Sequence, residues 1–165
     1  RSPSRPTSAP TATGSLNLLL QHYESLLGAT PLASTLKALV LHTTDEAGPA
    51  PGPDYMYGWG LLNTAKAAKL MQRHADNSPT NVIREDVLAS NQTLSFDIQS
   101  PGRGPLRATI CWTDPAGPVQ PGQVDPTDRV LVNDLDLRVT YDESTTYEPW
   151  VLNPASPAAA AIMSR

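Results

Sequence analysis

Apolar positions recur at helical spacing through the first part of the chain. Between Gly14 and Leu27, the residues Leu16, Leu19, Leu20, Tyr23, Leu26 and Leu27 fall on one side of a helix, and Leu18 widens that stripe. Gly28 is placed to end this helix, and Thr30-Pro31 to cap and start the next, whose stripe is Leu32, Leu36, Leu39 and Val40. After a Pro/Gly-rich loop, Asn63 can cap a third helix running to about Arg73, with Ala65, Ala68 and Met71 on its narrow apolar face. The period then changes from helical to alternating. Leu94, Phe96 and Ile98, then Leu106, Ala108, Ile110 and Trp112, then Leu135, Leu137 and Val139 each alternate with polar residues, predicting half-buried antiparallel strands. Tyr147 to Leu152 predicts one more strand, and the Pro/Ala-rich tail beyond it offers little to pack.

The predicted class is therefore α + β, with a helical part over residues 1–78 and a strand-rich part over 79–165. Proline punctuation supports the division. The chain of 165 residues holds 17 prolines but only three Trp, five Tyr and one Phe, so long loops and few large core side chains are expected. A net charge of -4 argues against a general nucleic-acid binder, which would normally show a basic face. No apolar run reaches the roughly 18 residues of a bilayer span, so no membrane partner is expected. The single Cys111 excludes an internal disulfide framework and sits in an alternating run, where a buried, inert thiol is expected.

Five stretches together resemble a known family. Ser8-Ala9-Pro10 leads into Thr11-Ala12-Thr13-Gly14-Ser15 and the Leu-rich run; Ser34 to Val40 follows, then Gly58-Trp59-Gly60 with Leu62-Asn63 and an Ala-rich run. Further on come Ile110-Cys111-Trp112-Thr113-Asp114-Pro115 and Val132-Asn133-Asp134-Leu135-Asp136-Leu137. From about Ser8 to Leu152 the chain resembles the C-terminal part of subtilisin-like serine peptidases of the subgroup with an appended β-sandwich, or jelly roll. The resemblance implies the last helices of an α/β catalytic domain, packed in the intact enzyme on a sheet made by earlier sequence, followed by a partial antiparallel sandwich. It also implies secretion and hydrolysis of a polypeptide substrate through an acyl-enzyme.

The catalytic centre departs from the family pattern. The triad order is Asp, His, Ser, and only the Ser can lie here. Counting back without gaps from Ala9-Pro10 places the nucleophile on Pro6, which cannot attack a carbonyl; a two-residue deletion places it on Ser8. His22, His42 and His74 all follow that position, whereas the family's His precedes it. The chain alone is thus expected to be inactive, and its helix stripes, lacking their sheet, to promote self-association. A self-sufficient hydrolase drawing on Ser8 or Ser25, His22 and Asp45 stays open as an alternative.

In the strand-rich half, Asp134 and Asp136 should point to one side about 6.5 to 7 Å apart, a spacing that calls for a neutralising partner. Ca²⁺ is one, with Asn133 and Asp114 supplying further oxygens, and the resemblance implies structural calcium in such domains. Arg138, two residues on, is the other. A non-catalytic calcium-binding or adhesive sandwich is therefore a further open reading. Trp112 is expected to close the core, and Asn91-Gln92-Thr93 fits the acceptor triplet for N-glycosylation.

Overall fold

The computed structural model describes residues 8–76, 83–100, 102, 104–120, 122, 128–142 and 144–163. Three helices, α1 (Ser8–Leu27), α2 (Ala33–His42) and α3 (Thr64–Ala75), precede four short strands, β1 (Val139–Tyr141), β2 (Thr145–Tyr147), β3 (Trp150–Val151) and β4 (Ile162–Met163). The fold is mixed α + β. The expected boundary at 78/79 and the Pro6-Thr7 stretch lie outside the described residues.

Two compact units form, with a division that sequence order does not suggest. The first takes its described residues from Arg1–Thr44 and Leu62–Ala108, the second from Asp45–Leu61 and Thr109–Arg165. In the first unit the three helices pack on one another around Leu19, Tyr23, Leu39, Ala67 and Met71. Leu19 and Met71 are its largest fully buried side chains. Leu26, Leu27, Leu36, Val40, Ala68, Leu70 and Ile83 pack around that core. The α1 stripe thus holds, except that Leu18 is 65% exposed. On α3 the buried residues are Ala67 and Met71, while Ala65 faces solvent. A narrow Ala-rich face leaves its direction to the neighbouring helices, and the expected Ala65 stands two residues, about 200° of helix rotation, from the buried Ala67.

Capping corrects two further expectations. α1 begins at Ser8, six residues before Gly14, and carries Pro10 in its first turn, where the missing N–H costs nothing. α2 is capped not by Thr30 but at Leu32, whose side chain can offer no hydrogen bond. Glu85 replaces it from far along the chain: its Oε1 accepts the Leu32 N–H at 3.0 Å and also the Thr35 hydroxyl. Thr30 donates instead to Glu24 at 2.7 Å. Burial foremost, and then the Glu85 charge, raise the Tyr23 pKa beside this cluster. Arg107 adds a second tie, donating to the His42 carbonyl at 2.7 Å at the C-terminal end of α2. These bonds attach the segment after α3 to the helical unit. α3 behaves as expected at its start, where Asn63 Oδ1 accepts the Lys66 N–H at 2.9 Å.

In the second unit, β1 and β2 form an antiparallel hairpin in the register Val139↔Tyr147, Thr140↔Thr146 and Tyr141↔Thr145. β3 and β4 form a separate antiparallel pair, Trp150↔Met163 and Val151↔Ile162. The tail therefore does contribute a strand. The alternating stretches at 94–98 and 106–112 are in no ladder, and Leu94, Phe96, Ile98, Leu106 and Ile110 are exposed. Alternation states which side a strand would bury; a strand exists only once its N–H and C=O groups find a partner edge. Among the described residues of the second unit only Pro53 is buried.

Candidate functional site

Ser8, the nucleophile candidate, is the exposed first residue of α1. His22 lies fourteen residues further along the same helix. At 1.5 Å rise per residue the two are about 21 Å apart along the axis, so they do not form a nucleophile and base pair. Ser25 is the helical neighbour of His22 at three-residue spacing. Asp45 belongs to the second unit, where its backbone N–H and C=O bond those of Leu61 at 2.9 and 2.8 Å. The other histidines are tied to structure. His42 ends α2, and burial foremost, then the Arg107 charge, lower its pKa, favouring the neutral ring. His74 Nδ1 accepts the Ile83 N–H at 3.4 Å.

The four oxygen ligands considered for calcium fall into separate arrangements. Asp114 closes on the peptide around residue 132: one carboxylate oxygen accepts the Val132 N–H at 2.7 Å, and the other accepts the Asn133 N–H at 3.0 Å and its side-chain amide at 2.8 Å. The Val132 N–H foremost lowers the Asp114 pKa, with desolvation opposing and Asn133 assisting. Asp136 is engaged by Arg138 at 3.3 Å, and Arg138 in turn donates to Glu148 at 3.0 Å. Asp134, exposed, borders a shallow depression with Arg129 and Leu131. Asp114 is thus engaged by N–H donors and Asp136 by a guanidinium, and among the described residues no three acidic, His or Cys side chains converge on one point. Cys111 and Trp112 are half-buried, not enclosed as the alternating run predicts.

The loop between α2 and α3 is shaped by residues whose roles depend on conformation. Asp54 and Gly58 exchange both backbone hydrogen bonds at 2.9 Å, and Asp54 Oδ1 accepts the Met56 N–H at 2.8 Å and the Tyr57 N–H. Gly58 and Gly60 have φ of 61° and 102°, left-handed values that a side chain disfavours. No protein-family model, curated protein or solved structure matches the chain. Of the carboxylates that organise turns and caps, Asp54 and Glu85 escaped the sequence reading, and Asp114 was named there only as a candidate calcium ligand. Asp54 alone had a local signal, as an Asp opening a Gly-terminated turn. The partners of Glu85 and Asp114 lie 50 or more and 18 or more residues away.

Proposed function

We propose that the chain is the C-terminal portion of a secreted subtilisin-like serine peptidase, comprising the last helices of its catalytic domain and the start of an appended β-sandwich. The observation that carries this reading is the passage from Asp54 to Asn63. Gly58 and Gly60 of the Gly-Trp-Gly motif both take left-handed backbone, and Asn63 caps α3 directly behind them. Three of the residues on which the resemblance rests, Gly58, Gly60 and Asn63, thus suit the local geometry, which supports the reading. Uncovered apolar side chains agree with it: Leu18 and Leu32 on the helical unit are 65% and 54% exposed, as expected of helices that a sheet would otherwise cover.

In the intact peptidase, Ser8 at the first turn of α1 would hold the nucleophile position, with Asp and His supplied by earlier sequence and a polypeptide as substrate. Acyl transfer requires all three, and losing triad members removes several orders of magnitude in rate. The purified chain is therefore expected to leave casein intact and to remain unlabelled by a fluorophosphonate. Casein cleavage abolished by Ser8→Ala would overturn the reading in favour of a self-sufficient hydrolase. The codons preceding Arg1 test the parentage: an Asp and a His in subtilisin-like contexts are expected, and an unrelated domain there would sink it.

A further inference from the structure

The chain holds one Asn-x-Ser/Thr triplet in which x is not proline, Asn91-Gln92-Thr93. Such triplets occur by chance, and what distinguishes this one is its placement. The Gln92 N–H donates to the Ala89 carbonyl at 3.1 Å, closing a turn whose tip is Asn91. Asn91 has φ 60°, the left-handed backbone that the third position of such a turn takes, and both Asn91 and Thr93 are exposed. Residues 92–100 that follow are in no ladder or helix, so a transferase meets no paired backbone there. The turn is flanked by exposed apolar side chains: Val87 is 91% exposed and Leu94 nearly half.

We propose that Asn91 is an acceptor for N-linked glycosylation. The donor is a lipid-pyrophosphate-linked oligosaccharide. Asn91 Nδ2 attacks its C1, the bond from C1 to the pyrophosphate oxygen breaks, the lipid pyrophosphate leaves with that electron pair, and Nδ2 gives up a proton. A hydrophilic oligosaccharide at this turn stands beside Val87 and Leu94 and opposes association through them. The inference rests on the secretory route in the proposed function, so the test imposes that route. The full chain is secreted from cultured eukaryotic cells behind a cleavable signal, and its intact mass is read before and after peptide N-glycosidase. One oligosaccharide is expected, removed by the enzyme with conversion of Asn91 to Asp, absent in Asn91→Gln and Thr93→Ala, and retained in Thr93→Ser. A secreted chain without sugar, or with sugar that survives Asn91→Gln, overturns the assignment. Either result leaves the peptidase parentage standing or falling on the upstream codons.

Discussion

Truncating Met71 to Ala tests whether the three helices share a single core. Met71 is fully buried between the helices, together with Leu19, Tyr23, Leu39 and Ala67. Removing Cγ, Sδ and Cε forfeits the transfer of three groups, about 2 kcal/mol at about 0.8 kcal/mol each. The cavity left among neighbours that cannot fully collapse raises the cost, so about 3 kcal/mol is expected, inside the range of about 2–5 for Met→Ala. The comparison is Leu18→Ala on α1. With 65% of Leu18 exposed, little burial is lost and the change should stay within about 0.5 kcal/mol. Urea unfolding followed by the helical circular-dichroism signal reads the difference. At a slope of about 1–3 kcal/mol per molar, Met71→Ala should lower the midpoint by about 1–3 M, or abolish folding if the parent has less stability to lose. Equal midpoints for Met71→Ala and Leu18→Ala would refute the shared core and mean that the helices fold without packing on α3.

Two further outcomes follow from the second unit. The Asp114 pKa is lowered on folding, so its contribution to stability is present above the unfolded carboxylate value, about 3.9, and is lost as pH falls through the folded one. Acid melting curves of the parent should fall over that window more steeply than those of Asp114→Asn, and parallel curves would show that the hydrogen bonds to Val132 and Asn133 are not made in solution. Gly52 has φ 93°, and a Cβ there would meet the Trp150 ring at 2.9 Å. Gly52→Ala should therefore displace Trp150 and change the tryptophan fluorescence, whereas Gly14→Ala, within α1 and with nothing within 4 Å of the added Cβ, should leave the emission unchanged; identical spectra for the two variants would remove the Gly52–Trp150 contact.

Sequence by itself determined the features whose partners lie within about one helical turn. The 3.6-residue recurrence from Leu16 to Leu27 located α1, and Asn63 announced a cap because its acceptor meets an N–H three residues on. Arg138 was visible as a partner for Asp136 because two residues separate them. The tertiary structure decided everything that depends on distant closure. It buried Ala67 rather than Ala65, brought Glu85 to cap α2, set Asp114 on the Val132 and Asn133 amides, and paired the tail with Trp150–Val151. Alternation at 94–98 and 106–112 named a side to bury without naming the strand that would pair there. The physical reason is the same throughout: a local hydrogen bond is fixed by spacing, whereas a cap, a core face or a strand pair between remote segments forms only when the packing that brings them together outweighs the entropy of closing the chain between them.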